Sequence, residues 1–247
     1  MFSRSWFVTR LVATMLLVAA AASGAHGKLD EPDVKGVAGD WMDDFDTYAT
    51  GQDMHGVGGW KGWDNNPAFT AFTSDTQAQS VPNSLAIDGN NDPVREFADI
   101  AGGQWTLTAW QYISSAFIGT SYFIVLNTYN DGGTKNWSVQ VAFDGATNQL
   151  VNDGISGGSL SMVRDQWVRI EIDIDLDADT QSFFYNDALL YTGTWSGQVS
   201  GGGATSIGAI NLFANSAAVV FYDDLSLIQV PIEEFIFGDG FEEPPPP

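Results

Sequence analysis

The clearest hydrophobic pattern in the chain runs from Gln166 to Asp187, QWVRIEIDIDLDADTQSFFYND. Aliphatic residues occupy every second position from Val168 to Leu176, and polar or acidic residues occupy most of the positions between them. A period of two residues is typical of a β-strand with one buried face and one solvated face. Turn-forming residues follow at 177–180, and a second strand-like run ends at Asn186. The stretch therefore predicts an antiparallel hairpin.

Shorter strand-like runs recur along most of the chain, and turns rich in Gly, Asn or Asp separate most of them. They are predicted at residues 43–48, 69–73, 84–88, 94–98, 105–114, 122–129, 137–143, 188–194, 207–213 and 219–228. After the first 27 residues, no segment has a convincing helical period. Many short strands at this spacing predict an all-β fold, a two-sheet antiparallel jelly-roll sandwich, in one domain at residues 43–229.

The two ends of the chain differ in composition from this domain. Residues 1–27 combine two arginines, an apolar run from Leu11 to Ala22 and small residues suited to cleavage, which predicts an export signal peptide. The apolar run is shorter than the roughly 20 residues of a membrane-spanning helix, so no membrane span is expected. Residues 28–42 predict a polar linker, and residues 230–247 predict an acidic, proline-rich tail. We therefore expect a secreted or cell-surface protein.

Charge and residue types exclude several classes of function. The chain has 31 acidic and nine basic residues, with a formal net charge of −22, and such a surface repels nucleic acid and anionic lipid. It has two histidines, one of them in the predicted signal peptide, which argues against a Ser-His-Asp triad and excludes a multi-histidine zinc site. It has no cysteine, so disulfides do not stabilise the fold and a structural metal ion becomes a candidate for that role.

Six segments follow one another in a recognisable order, namely GGWKGWDNNPA, SVPNSLAIDG, GGQWTLTAWQYI, WVRIEIDIDLDADT, GAINLFA and FYDDLSL. Over roughly residues 43–228, their order and spacing resemble the laminin-G-like, concanavalin A-like jelly-roll domains of secreted bacterial proteins. The resemblance implies a twisted sandwich with a concave sheet where ligands usually bind. It does not imply one function, because that superfamily contains sugar-binding modules, glucanases and adhesive domains.

Strand alternation predicts a sugar-binding surface. In the run at 105–114, Trp105 and Leu107 belong with the core, which turns Trp110 and Tyr112 outward unless a bulge reverses them. In the run at 137–143, Trp137 and Val139 are expected in the core, which leaves Ser138 and Gln140 exposed. Aromatic rings match the C–H face of a sugar, and neighbouring polar groups match its hydroxyls. The predicted carbohydrate-binding residues are Trp110, Tyr112, Gln140, Arg169 and Glu171, joined by Trp60 and Trp63, which alternatively close the end of the sandwich.

The acidic row offers a catalytic alternative. The segment from Glu171 through Asp173 to Asp175 resembles the E-x-D-x-E motif of laminarinase-type glycoside hydrolases, which use two carboxylates about 5 Å apart. It departs from that motif at Asp175, which is one methylene shorter than the expected Glu. We expect a non-catalytic, lectin-like module for a poly- or oligosaccharide. The alternatives are a glucanase-like hydrolase and a structural or adhesive domain without a sugar site.

A metal site is predicted where the two ends of the domain meet. Asp223 has the same parity as Phe221 and Leu225, so it should point inward, where an unpaired carboxylate is costly. First and last strands are often neighbours in a jelly roll, which would bring Asp44 and Asp46 close to it. These three carboxylates predict one structural Ca²⁺, and the alternative is that backbone amides satisfy Asp223.

Overall fold

The computed structural model describes residues 39–98 and 100–231. The predicted signal peptide, most of the predicted linker and the tail beyond residue 231 lie outside the described residues. Within the described part, the chain forms fifteen strands and two short 3-10 helices. None of the helices described there is long and apolar enough to cross a membrane. The prediction of an all-β sandwich is confirmed.

The strands are short, and the longest have ten residues. They are β1 (Trp41–Asp43), β2 (Trp60–Gly62), β3 (Phe72–Ser74), β4 (Ser84–Ile87), β5 (Pro93–Glu96), β6 (Gln104–Ile113), β7 (Thr120–Thr128), β8 (Asn136–Asp144), β9 (Gln149–Asn152), β10 (Ser159–Ser161), β11 (Trp167–Asp175), β12 (Thr180–Tyr185), β13 (Ala188–Thr194), β14 (Ala209–Phe213) and β15 (Val220–Gln229). The two 3-10 helices, at Trp63–Asn65 and Pro67–Phe69, lie between β2 and β3.

Two antiparallel sheets contain all of these strands. The first sheet has the order β13-β12-β11-β6-β15-β4-β3, and β1 also pairs with β15. The second sheet has the order β10-β9-β8-β7-β14-β5-β2. Each sheet combines hairpin neighbours with strands that are distant along the chain, which is the connection pattern of a jelly roll.

The main core lies between the sheets and follows from the alternation of side chains. Along β11, Val168, Ile170, Ile172 and Ile174 are at most 2% exposed. Their partners on β6 include Leu107 and Ala109, which are fully buried. Each fully buried large aliphatic side chain contributes about 1.5–3 kcal/mol, which explains why the longest alternating runs lie in the middle of the first sheet. Strands β11 and β12 pair from Ile170 to Asp175, and this confirms the predicted hairpin.

A second, smaller apolar cluster covers the outer face of the second sheet, the face turned away from the main core. Ile124 and Leu126 of β7 belong to it, whereas Phe123 and Val125 between them belong to the main core. Tyr129 packs into the same small cluster. The second sheet is therefore apolar on both faces, which explains why its strands show weaker alternation in the sequence than β11 does.

The start of the domain differs from the prediction. Strand β1 pairs with β15 and begins at Trp41, two residues inside the segment expected to be a linker. The expected strand at 43–48 is instead a turn, in which Phe45 has a positive φ of 58° and accepts a backbone hydrogen bond from Tyr48. Strands β2, β9 and β10, of three or four residues each, are absent from the prediction.

Candidate ligand-binding site

A groove of about 320 Å³ lies on the outer face of the second sheet. It reaches across β8, β7 and β14 to the start of β5, so four consecutive strands support it. We call it the aromatic groove. It is lined by Trp63, Asp92, Tyr122, Ile124, Trp137, Gln140, Asn211, Phe213 and Asn215. Its volume falls at the lower end of the range of roughly 300–1,000 Å³ that is usual for ligand sites.

Alternation along β7 and β14 places the middle of the groove. Tyr122 and Ile124 are separated by the core residue Phe123, and Asn211 and Phe213 occupy the equivalent positions of β14. Tyr122 and Phe213 are direct partners across the two strands. Their rings stack with centroids 5.9 Å apart and planes 19° apart. The backbone of two neighbouring strands therefore fixes a flat aromatic surface in the groove.

A bulge in β8 supplies the second part of the aromatic surface. Val139 faces the main core, but Trp137 pairs with Leu126 and packs on the outer cluster. Ser138 is the extra residue between them, and it is fully buried. The prediction that Trp137 joins Val139 in the core and that Ser138 is exposed is wrong, because the bulge reverses the alternation. Gln140, beyond the bulge, lines the groove beside Trp137.

Trp63 forms one wall of the groove and comes from a loop. Its ring stacks on Trp137 with centroids 6.3 Å apart, and it meets the edge of Tyr129 at 5.1 Å. The two residues after Trp63 have positive φ values of 54° and 55°, which turn the chain sharply at this point. Lys135 Nζ lies 5.0 Å from the centre of the Trp63 ring and pairs with Asp64 Oδ1 at 2.5 Å.

Hydrogen bonds tie the loop that carries Trp63 to the loop at residues 129–135. The Asp64 N–H donates to the hydroxyl of Tyr129 at 2.8 Å, and the Gly132 N–H donates to Asp64 Oδ1 at 2.8 Å. Burial, the largest effect, and the nearby Asp131 raise the pKa of Tyr129. Its hydroxyl therefore stays protonated and keeps both of its hydrogen bonds, to Asp64 and to Asp131. Because these contacts hold the wall in place, Trp63 is in position before a ligand arrives.

The polar groups of the groove are held by hydrogen bonds within the protein. Asn211 is 1% exposed, and its Nδ2 donates to Asp92 Oδ1 at 2.6 Å and to the Pro93 carbonyl at 3.0 Å. Gln140 Nε2 donates to Asp153 Oδ2 at 3.0 Å. Burial raises the pKa of Asp92 to about 6, although the hydrogen bond from Asn211 acts in the opposite direction. The groove thus combines aromatic faces with fixed oxygen acceptors.

The predicted sugar-binding residues do not form one surface. Trp110 and Tyr112 do face outward from the first sheet, where Arg169 lies opposite Trp110. Gln140 belongs to the second sheet, because β8 pairs with β7 and β9 and not with β6. The expectation that it lies beside Trp110 is therefore wrong. Arg169 binds Glu171 Oε2 at 2.9 Å and is also paired with Asp187.

The two tryptophans of the glycine-rich loop have different roles. Trp60 is 1% exposed, and its Nε1 donates to Asp43 Oδ2 at 2.8 Å. It therefore closes the end of the sandwich, which is the alternative to its expected role in sugar binding. Trp63 lies in the aromatic groove, where it is available to a ligand.

The acidic row lies on the outer face of the first sheet, away from the groove. Glu171 is paired with Arg169, and Asp173 accepts a hydrogen bond from Thr106 at 3.3 Å. Asp175 accepts from the Ala178 N–H and from Gln104 Nε2, each at 2.8 Å. The hydrogen bond from Ala178 is the largest of the effects that lower the pKa of Asp175. A general acid of a glycosidase needs the opposite shift.

Asp223 does not point into the core as predicted. It pairs with Trp110, while Ser226 pairs with Thr108, so one extra residue separates the two pairs. This bulge at Asp224, whose φ is 44°, turns Asp223 onto the outer face, under the loop at residues 79–80. There its carboxylate accepts backbone hydrogen bonds from Gln79 at 2.7 Å, from Ser80 at 3.2 Å and from Asp224 at 2.8 Å.

The predicted calcium ligands therefore separate into two groups. Asp44 and Asp46 lie near Asp224, where their charges add to burial in raising the pKa of the Asp224 carboxyl. Asp223 is instead satisfied by the backbone amides of Gln79, Ser80 and Asp224. Within residues 39–98 and 100–231, no group of three or more His, Asp or Glu side chains is placed to hold a metal ion. The three predicted ligands do not fit one metal centre, and calcium binding stays a prediction.

Sequence reasoning missed most of the groove. The residues absent from the predicted site are Asp92, Tyr122, Ile124, Trp137, Asn211, Phe213 and Asn215. One signal was available in the run from Ala209 to Phe213, where Asn211 is a lone polar side chain in an apolar strand. A buried amide of this kind needs partners and often marks a site. No comparable signal distinguishes the two faces of β7, because both are apolar.

No family model and no curated protein matches the chain. Among solved structures, a sialidase aligns over 79% of this chain with a TM-score of 0.54 and 7% identity, and this chain spans 19% of it. An endo-β-1,4-glucuronan lyase from the fungus Trichoderma reesei aligns over 77% of this chain and 95% of its own, with a TM-score of 0.48 and 12% identity. A galectin from Caenorhabditis elegans aligns over 54% of this chain and 88% of its own, with a TM-score of 0.40 and 10% identity. The strand order gives the fold, a two-sheet antiparallel jelly-roll β-sandwich, and the alignment with part of the sialidase agrees with it.

Proposed function

We propose that the protein is a non-catalytic, lectin-like module that binds a poly- or oligosaccharide in the aromatic groove. The observation that carries this proposal is the pair of ring stacks, Trp63 on Trp137 and Tyr122 on Phe213, around buried polar groups. Aromatic faces bind the C–H face of a sugar ring, and the fixed oxygens between them accept hydrogen bonds from its hydroxyls.

The arrangement of carboxylates supports binding over hydrolysis. Glycoside hydrolases use two carboxylates that flank the scissile bond. Among the described residues that line the groove, Asp92 is the one carboxylate. Glu171, Asp173 and Asp175 lie on the other sheet, where they are held by neighbouring side chains and amides. A ligand in the groove therefore meets one acid, which suits hydrogen bonding better than acid and base catalysis.

The proposed location is outside the cell or on its surface. It is supported by the signal-like pattern of residues 1–27 and by the acidic composition. The test is expression of the full chain in a bacterium, followed by N-terminal sequencing of the protein found outside the cytoplasm. Retention of the first 27 residues in a cytoplasmic product would contradict this part of the proposal.

Binding is tested with the chain from residue 28 to 247 on a glycan array, followed by titration calorimetry with each oligosaccharide that binds. We expect binding without release of reducing ends. Release of reducing sugar from a bound glycan would show a hydrolase. A folded protein that binds no glycan would instead favour a structural or adhesive domain.

A matched pair of variants locates the site. Trp137→Ala removes a ring from the aromatic groove, and Trp110→Ala removes an outward-facing ring from the first sheet. We expect loss of binding in the first variant and unchanged binding in the second, with similar melting temperatures. The opposite result would place the sugar on the first sheet.

A further inference from the structure

We infer that the aromatic groove selects uncharged saccharides and rejects saccharides that carry carboxylates, such as uronates and sialates. This inference rests on the proposed function and adds the class of ligand. It follows from two features of the described residues: the one charged side chain that lines the groove is the acid Asp92, and every lysine and arginine already has partners within the protein.

The polar groups that line the groove are uncharged except for the Asp92 carboxylate. Both hydrogens of Asn211 Nδ2 are used, one on Asp92 and one on the Pro93 carbonyl. Gln140 Nε2 donates to Asp153 at the edge of the second sheet. The groups that remain for a ligand are these two amide oxygens, the Asp92 carboxylate, and the uncharged Tyr122 hydroxyl and Asn215 amide. Hydroxyl groups donate to such oxygens, whereas a ligand carboxylate brings only further acceptors.

The two lysines nearest the groove are neutralised. Lys135 lies over the Trp63 ring and pairs with Asp64 at 2.5 Å. Lys61 pairs with Glu96 at 2.5 Å and with Asp131 at 2.6 Å. Both lysine side chains are largely buried by these contacts, at 11% and 17% exposure. Neither lysine lines the groove, so neither is placed to meet a sugar carboxylate.

The described arginines are also engaged. Arg164 donates to the carbonyls of Ser114, Phe117 and Gly145. Arg169 lies on the first sheet with its two acidic partners. The Arg95 guanidinium packs 5.5 Å from the ring centres of Trp41 and Phe97, away from the groove. The described part of the chain therefore offers no arginine for the forked carboxylate recognition that anionic ligands require.

A carboxylate placed in the groove would lie near Asp92 without a cation to compensate for its lost hydration. Burying an unpaired charge is strongly unfavourable, and repulsion from a second carboxylate increases that cost. The overall charge of −22 adds a long-range repulsion that salt screens. An uncharged sugar of the same shape meets none of these costs. The groove therefore binds the neutral form of a saccharide more tightly than the form that carries carboxylates.

The test uses saccharides that differ only in this charge. Cellohexaose, laminarihexaose and mannohexaose are titrated first, and each is then compared with its derivative in which the primary C6 hydroxyls are oxidised to carboxylates. Sialyllactose is compared with lactose in the same buffer. We expect at least one neutral form to bind and its anionic form to bind at least tenfold more weakly, with a smaller difference at high salt.

Two variants show whether the groove causes the difference. Asp92→Asn removes the carboxylate from the groove, and Asp173→Asn makes the same charge change on the exposed face of the first sheet. We expect Asp92→Asn to reduce the ratio of the affinities for the neutral and the anionic form severalfold. Asp173→Asn should leave this ratio unchanged. An equal reduction of this ratio in both variants would show that the net charge of the protein causes the preference for the neutral form, and it would overturn the inference.

The outcomes separate the inference from the proposed function. An anionic form that binds as well as its neutral parent, and loses binding in Trp137→Ala, would overturn the selectivity and leave the groove as a sugar site. A folded protein that binds neither the neutral nor the anionic forms would overturn the proposed function, and the selectivity would fall with it.

Discussion

The outer faces of the two sheets are built by the same alternation of side chains, but they present different chemistry. On the first sheet, Arg169, Glu171 and Asp173 form a solvated row of charges. On the second sheet, aromatic and amide side chains surround a groove. The first pattern is conspicuous in the sequence and the second is not. A regular row of solvated charged side chains therefore identifies a strand, whereas a binding site depends on how strands and loops meet.

Loops explain much of the difference between the faces. The turn after β2 brings Trp63 over the second sheet, and a second loop clamps it there through Lys135 and Tyr129. On the first sheet, the loop at residues 79–80 instead covers Asp223 with backbone amides. On the second sheet a loop therefore forms one wall of the groove, whereas on the first sheet a loop covers a carboxylate.

Removing an aromatic ring should have the largest effect on saccharide affinity, and the effect should differ strongly between the two faces. We expect Trp137→Ala to weaken saccharide binding by about 2 kcal/mol, or about thirtyfold, because both the stack and its buried area are lost. Trp110→Ala should change the affinity by less than about twofold. Titration calorimetry measures both, and similar losses in the two variants would break the contrast between the faces.

The buried acid of the first sheet should make stability depend on pH. Burial raises the pKa of Asp223 from 3.8 to about 7, although three backbone N–H donors oppose the shift. A folded-state pKa above the unfolded value stabilises the fold at low pH, and this contribution is lost as the pH rises through about 7. We expect the free energy of unfolding to fall by about 2 kcal/mol between pH 5 and pH 8.

The control for this pH effect is Asp223→Asn, measured by urea denaturation at both pH values. It removes the titrating group, so most of the difference between pH 5 and pH 8 should disappear. Asp173→Asn, on the exposed part of the same face, should keep it. A wild-type protein that is equally stable at the two pH values would contradict the prediction.

Loosening the wall of the groove should have a smaller effect. Lys135→Met breaks the pair with Asp64 and removes the cation above Trp63. We expect a loss of about 0.7 kcal/mol in saccharide binding, roughly threefold, because a cation–π contact contributes about 0.5–1 kcal/mol and an ion pair with an exposed acid such as Asp64 contributes about 0.2–1 kcal/mol.

The matched change on the first sheet is Arg169→Met, which breaks the pairs with Glu171 and Asp187. It should leave the affinity for the saccharide unchanged. Equal losses in the two variants, measured by the same titration, would show that binding responds to general charge and not to the position of Trp63.

Calcium should have the smallest effect. Burial and the charges of Asp44 and Asp46 raise the pKa of Asp224, so a loosely held cation would relieve repulsion there, although no three acids of the described residues are placed to form a metal centre. We expect millimolar Ca²⁺ to raise the melting temperature by a few degrees, equivalent to about 1 kcal/mol, and EDTA to reverse it. Asp46→Asn should abolish the shift and Asp173→Asn should not. Identical melting curves in calcium and in EDTA would contradict the prediction that the protein binds calcium.

The sequence predicts the fold well because the fold depends on regular alternation. The long strand β11 follows from its period of two residues and lies where it was expected, as does its hairpin partner β12. The predicted face of Trp110 is also confirmed. These features require only local information, since one residue in two must be buried in any half-buried strand.

The candidate site could not be predicted in the same way because a bulge and the strand order decide it. One extra residue, Ser138, moves Trp137 from the core face to the groove. A second extra residue, at Asp224 on the first sheet, reverses the face of Asp223, a predicted metal ligand. Both bulges lie within runs that read as regular strands. The separation of Gln140 from Trp110 depends on which strands pair across long distances, and alternation carries no information about that choice.

The position of β15 has a consequence for how the molecule folds. This strand comes last among the described strands, yet it lies inside the first sheet, with β6 on one side and β1 and β4 on the other. Its pairing with β6 joins residues more than a hundred positions apart, and such distant contacts form slowly. During synthesis, the first sheet stays divided until β15 has left the ribosome. Until then, one edge of β6 lacks its partner strand and is open to pairing with other chains, which is the aggregation hazard of an uncovered strand.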